Sequence, residues 1–192
     1  MSHFFAYLSR MKYIERWGLM HNVHTENIQE HSLQVAQIAH ALALIKNRHF
    51  GGTINPERVA ILAMYHDASE VITGDLPTPI KYFSPKIKAA YKEIEQVANQ
   101  RLLDLLPEEF QEDYESVFFP QEADRACWEL VKAADKISAY LKCLEERKAG
   151  NQEFARAEQM LRQTIKDTEL PEVQWFMQRF IPSMKLTLDE LE

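Results

Sequence analysis

Five glycines in 192 residues leave this chain few positions where the backbone turns easily through positive φ. Hairpin-rich β folds and phosphate-cradling glycine loops both depend on such positions, so neither suits this chain. No GxGxxG or Walker-type sequence occurs. What recurs instead is the grammar of helix starts. Asn55 stands as an N-cap before Pro56 and Glu57, and Ser84-Pro85 repeats the pattern. Pro107-Glu108-Glu109, Pro120-Gln121-Glu122 and Pro171-Glu172 place proline at a start and carboxylates where the helix dipole favours them. Gly51-Gly52 and Gly150 read as stops. The expected fold is all-α, one domain over 1–192, with helices at 3–15, 30–48, 56–71, 85–105, 108–116, 121–148, 152–167 and 171–180. The charged 108–115 segment reads as a solvated flap.

Three of these helices carry apolar stripes that end on polar residues. Val35, Ile38, Leu42 and Ile45 recur at helical spacing, and four residues before Val35 stands His31. Val59, Leu62 and Ala63 point the same way as His66, while Trp128 and Val131 lead to Asp135. An unsatisfied imidazole or carboxylate at the end of a buried stripe costs several kcal/mol, so each needs a partner. One shared metal ion would serve them all. His31, His66, Asp67 and Asp135 supply two imidazoles and two carboxylates, a set suited to a divalent ion such as Co, Mn, Zn, Ni or Fe. On a continuous helix His66 and Asp67 diverge by about 100°, so both reach one ion only from beside the helix. Structural readings stand next to this one. Each histidine can be a satisfied core residue, Asp135 can pair with Lys132 at i,i+3, and Glu70 can be an exposed carboxylate near a helix end.

Composition narrows the partners. Twenty-two Lys+Arg against 29 Asp+Glu give a net charge of −7, the wrong field for wrapping a nucleic-acid polymer. Cys127 and Cys143, sixteen apart in helical sequence, read as buried thiols in a reducing compartment. Phe4-Phe5-Ala6-Tyr7-Leu8 is too short for a signal-peptide core, and the 35–45 stretch is too short for a membrane span. A cytoplasmic protein with no membrane partner is expected.

The order His31, His66-Asp67, Asp135 resembles the HD-domain superfamily of metal-dependent phosphohydrolases. Longer blocks sharpen the resemblance: Arg16-Trp17, Glu30-His31-Ser32, His66-Asp67-Ala68-Ser69-Glu70, Thr73-Gly74-Asp75-Leu76-Pro77-Thr78-Pro79 and the 132–146 helix look like the bacterial HD-domain 5'-deoxynucleotidase family over almost the whole chain. That resemblance implies an all-α HD-domain helical bundle that hydrolyses deoxyribonucleoside 5'-monophosphates to nucleoside and inorganic phosphate. It also implies a homodimer and one divalent ion on His31, His66, Asp67 and Asp135. Glu70 would take the proton from the attacking water, and Arg16 would orient the phosphate. Trp17, Asp75, Leu76, Pro77 and Thr78 would hold the nucleoside, with His31 and Asp67 also touching substrate. Two other classes fit the same residues: an HD phosphohydrolase cleaving a cyclic nucleotide or releasing triphosphate, and a helical binding module without catalysis.

Overall fold

The computed structural model describes residues 1–81 and 83–191, and within them every regular element is helical. The α-helices are α1 (Phe4–Leu8), α2 (Ile28–His49), α3 (Pro56–Tyr65), α4 (Glu70–Thr73), α5 (Thr78–Lys81), α6 (Pro85–Asp104), α7 (Glu108–Phe118), α8 (Arg125–Lys148), α9 (Ala155–Lys166) and α10 (Pro171–Arg179). Capping side chains set several starts. Asn55 accepts from the Arg58 N–H, Ser84 from Ile87, and Asn27 from both Gln29 and Glu30, so α2 begins two residues before its expected start. Pro120 does not open α8; a 3₁₀ turn at Glu122–Asp124 intervenes.

Two expected helices are broken. The 3–15 segment is α-helical only to Leu8, tightens into a 3₁₀ turn over Ser9–Tyr13, and ends extended at Ile14. Backbone bonds from Arg16 N–H to Glu26 and from Ile28 N–H to Ile14 draw this strand-like stretch against the residues before α2. The 56–71 helix stops at Tyr65. His66, Ala68 and Glu70 then donate backbone bonds three residues back instead of four, and α4 restarts at Glu70. His66 and Asp67 therefore stand in a tight turn, and the 100° divergence expected on a continuous helix does not apply.

Burial explains why the break falls there. Val35, Leu42, Leu62, Leu130, Ile137 and Phe176 belong to one core cluster built from α2, α3, α8 and α10. Phe4, Ala68, Leu102, Leu103, Leu106 and Phe118 form a second, against which Tyr65 packs. The 66–69 turn lies at the seam between the two. Residues 108–115 are exposed or half-buried, as expected of a solvated segment, while Phe118, beyond them at the end of α7, is a core residue and anchors the helix. Cys127 and Cys143 are free and buried as expected, and burial pushes the Cys143 thiol up to about 12.

One buried ion pair ties the 20–24 loop to this scaffold. Lys142 and Glu146, one turn apart on α8, are both buried and bonded to each other. Glu146 also accepts from the backbone N–H groups of Val23 (2.9 Å) and His24 (3.1 Å) and from Asn151 Nδ2 (2.8 Å). Burial opposes its charge, but Lys142, those N–H groups and Asn151 together pull its pKa from the usual 4.5 to about 2. A depressed carboxylate contributes stability that is complete above pH 4.5 and is lost as pH falls toward 2. Glu146→Gln should therefore lower unfolding free energy at pH 7 by about 3–5 kcal/mol, as when a buried pair is broken. The variant should also lose less further stability than wild type between pH 4.5 and 2, which chemical denaturation across that range would measure.

Candidate active site

Three helices bring their polar stripe-ends together. His31 lies in the first turn of α2 and is 1% exposed; His66 and Asp67 occupy the turn after α3; Asp135 projects from the middle of α8. Donor atoms of His31, His66 and Asp67 all lie within 4.8 Å of one another. His66 Nε2 is 3.1 Å and His31 Nε2 3.7 Å from Asp67 Oδ2, and Asp135 Oδ1 is 3.1 Å from His31 Nε2. Asp135 forms the open side, its side chain 42% exposed.

The neighbours of the two rings decide which nitrogen is available. The Ala63 carbonyl lies 2.7 Å from His66 Nδ1 and can only accept, so Nδ1 carries the proton. Ser138 donates to Gln34 Oε1 at 2.7 Å, leaving its oxygen to accept from His31 Nδ1 at 3.1 Å. Both Nε2 lone pairs therefore face carboxylate oxygens, and both Nε2 atoms are buried without a hydrogen-bond partner among the described residues. Two acceptors about 3 Å apart repel unless a proton or cation lies between them. A separation of about 3 Å also matches neighbouring ligands on an ion with bonds of about 2.1 Å. The donor set fits a divalent metal.

Charge responds as this geometry requires. Burial opposes a charge on His66, but Asp67, Asp135 and the Ala63 carbonyl raise its pKa to about 9 in the metal-free protein. Asp67 moves the opposite way: His66, His31 and Arg16 hold it well below the usual carboxylate range despite burial. Glu70, read from sequence either as a base or as an exposed carboxylate, is 5% exposed, with Oε2 lacking a partner. Burial, then repulsion from Asp67 and Asp75, pushes its pKa to about 9 against the attraction of Arg16 and Lys81.

Arg16 and Trp17 reach the cluster from the extended stretch before α2. Arg16 Nη1 is 3.4 Å from Asp67 Oδ2, while Arg16 Nε (3.0 Å) and Trp17 Nε1 (3.2 Å) both donate to Glu26 Oε2. The indole also packs on Phe154, ring centroids 5.3 Å apart. On the other side Gly74, at φ 72°, turns the chain out of α4 into Asp75, a conformation that suits glycine. Burial raises the Asp75 pKa, with Arg16 opposing. α6 braces this loop: the Tyr91 hydroxyl lies 3.5 Å from the Gly74 carbonyl, and Glu95 accepts from Lys81 at 2.8 Å. Leu76 and Pro77 are half-buried and Thr78 is exposed; among the described residues none of the three bonds to the His–Asp cluster. Sequence reading missed Glu26, Gln34 and Ser138. The i,i+3 spacing of Gln34 after His31 and of Ser138 after Asp135 could have flagged two of them. Glu26 carries no comparable signal.

Residues 3–184 match the model of the YfbR-like 5'-deoxynucleotidase family. The chain is 58% identical over 190 residues to the 5'-deoxynucleotidase of Vibrio cholerae serotype O1, covering 99% of this chain and 98% of that protein. Against the 5'-deoxynucleotidase of Yersinia pseudotuberculosis serotype O:3, identity is 58% over 194 residues, with 100% and 97% covered. An HD-domain phosphohydrolase from Listeria innocua shares the fold with a TM-score of 0.82 at 23% identity, over 95% of this chain and 88% of that one. A cyanophage S-2L HD phosphohydrolase, bound to dA and one catalytic Zn²⁺ ion, shares it with a TM-score of 0.65 at 23% identity, over 95% and 96%. The expected all-α HD-domain fold is the observed one.

The Ser138 hydroxyl makes its contribution to metal binding measurable. Ser138→Ala should weaken divalent-metal affinity by about 10- to 100-fold, the usual effect of losing a group that orients a ligand imidazole. Competition against a chromophoric chelator reads this directly, with helical circular dichroism as the control for folding; unchanged affinity would remove Ser138 from the site.

Proposed function

The chain belongs to the YfbR-like 5'-deoxynucleotidase family, and from that premise we propose that it hydrolyses deoxyribonucleoside 5'-monophosphates to deoxyribonucleoside and inorganic phosphate. The observation that carries the reading is the pair of buried, partnerless Nε2 atoms aimed at carboxylates, with the Arg16 guanidinium 3.4 Å from one of those carboxylates. In this reading His31, His66, Asp67 and Asp135 hold one divalent ion, whose identity among Co, Mn, Zn, Ni and Fe the donor set leaves open. When bound, the ion supplies Lewis-acid charge at the phosphate and lowers the pKa of the attacking water.

The chain's own groups then divide the work. Arg16 presents a planar cation to the phosphate oxygens, and His31 and Asp67 border the same oxygens. Trp17, fixed by Glu26 and Phe154, is one wall of the nucleoside pocket. Asp75, Leu76, Pro77 and Thr78 form the other; Pro77 stiffens the loop, and Asp75 and Thr78 read the sugar against a 2'-hydroxyl. Glu70 Oε2, buried and without a hydrogen-bond partner among the described residues, is free to accept from the attacking water. It takes the proton as water attacks phosphorus and returns it to the 5'-oxygen when the P–O bond breaks.

The whole chain, 1–192, acts here as one domain, as a homodimer and in the cytoplasm. Exposed Leu33, Leu44, Ile61 and Met64 on α2 and α3 support pairing, and two buried free thiols support a reducing compartment. No helix among the described residues is long and apolar enough to cross a membrane.

A metal-reconstituted screen should release phosphate from deoxyribonucleoside 5'-monophosphates in preference to their ribose counterparts; release of triphosphate or opening of cyclic nucleotides instead would overturn the assignment. Glu70→Gln should keep its metal, measured by elemental analysis, and lose about 10²- to 10⁴-fold in kcat.

A further inference from the structure

We propose that Glu26 is a positioning residue for the phosphate end of this site, holding Arg16 and Trp17 in the arrangement that a 5'-phosphate meets. The proposal rests on the phosphomonoesterase reading above. Glu26 lies immediately before the N-cap of α2, and its side chain is 14% exposed. Three of its contacts go to one dipeptide: Oε2 accepts from Arg16 Nε and Trp17 Nε1, and its backbone carbonyl accepts the Arg16 N–H at 2.8 Å. With Nε held by Glu26 and Nη1 3.4 Å from Asp67, Nη2 of Arg16 has no protein partner among the described residues. That leaves one edge of the guanidinium for a phosphate oxygen.

The backbone shows that this arrangement is imposed. Trp17 has φ 58° and is the sole non-glycine residue at positive φ among those described, an unfavourable conformation for a bulky side chain. Such a residue persists where its surroundings over-determine it. Here the Trp17 carbonyl accepts from Met20 N–H (2.8 Å) and Asn22 Nδ2 (3.3 Å), the indole N–H is on Glu26, and the ring lies on Phe154. The next residues, Val23 and His24, are pinned to Glu146 on α8. Glu26 is the one carboxylate in this set that bonds both side chains of the Arg16-Trp17 pair. Losing its charge loosens the cation and the pocket wall together, because charge-assisted bonds are about twice as strong as neutral ones.

The test is a double-mutant cycle on the metal-saturated protein. Glu26→Gln, which conserves shape, should lower kcat/KM for a deoxyribonucleoside 5'-monophosphate about tenfold and weaken inorganic phosphate binding, by calorimetry, to a similar degree. In an Arg16→Ala background the same change should alter phosphate affinity by less than about twofold, since the residue through which it acts is gone. Losses that simply multiply, or a Glu26→Gln protein that binds phosphate like wild type, would overturn the role. Should wild type release no phosphate from any deoxyribonucleotide, the parent reading fails, while the phosphate-binding cycle still decides whether Glu26 acts through Arg16.

Discussion

Two imidazoles, each forced by a main-chain or hydroxyl acceptor to keep its proton on Nδ1, turn their remaining lone pairs toward carboxylate oxygens about 3 Å away in a buried seam. This contact is repulsive unless a proton or a cation lies between the atoms, and the rest of the site follows from it. His66 holds a proton to high pH, Asp67 loses its own readily, and Glu70 is driven toward its neutral form by burial and then by the negative charge of Asp67 and Asp75. Strongly shifted groups in contact, perturbed by burial together with specific charged partners, cluster at functional sites.

Such a centre is costly for the fold, and the surrounding helices offset that cost. α2, α3 and α8 each bury an apolar stripe whose large residues contribute about 1.5–3 kcal/mol apiece. The polar ends of those stripes are thereby held without flexible loops. The two segments that approach from outside, 14–27 and 74–81, contain no helix longer than the single turn of α5 and are braced individually. Glu146 and Phe154 secure the first, and Tyr91 and Glu95 on α6 secure the second. Two helices and the tight turn between α3 and α4 thus carry the proposed metal donors, while braced loops carry the residues proposed to select the substrate.

Much of this was legible in the residues. The stripe through Val35, Ile38 and Leu42 led back to His31, and the capping roles of Asn55 and Ser84 are those observed. The end of α3 was not legible, because Tyr65-His66-Asp67-Ala68-Ser69-Glu70 contains neither glycine nor proline. The helix tightens there because the His66 ring takes the Ala63 carbonyl and because Tyr65 and Ala68 belong with a different core cluster from Leu62 and Ala63. The 108–115 charges indicate solvent and those residues are exposed or half-buried; that α7 is anchored through Phe118, beyond the charged run, was not legible there.

The sequence by itself determined the helical class, most helix starts and the side of its own helix on which His31 and Asp135 stand. Those properties depend on spacings of three or four residues and on capping side chains. Only the tertiary structure decided which nitrogen of each histidine is free, that Glu70 is buried and that Glu26 reaches Arg16. Some of these depend on partners distant in the chain, Ser138 being 107 residues from His31 and Asp67 being 51 from Arg16; others, the Ala63 carbonyl on His66 and Glu26 on Arg16, depend on where a helix breaks and how a loop folds back. Helical periodicity says which way a residue faces; long-range packing determines what it meets there.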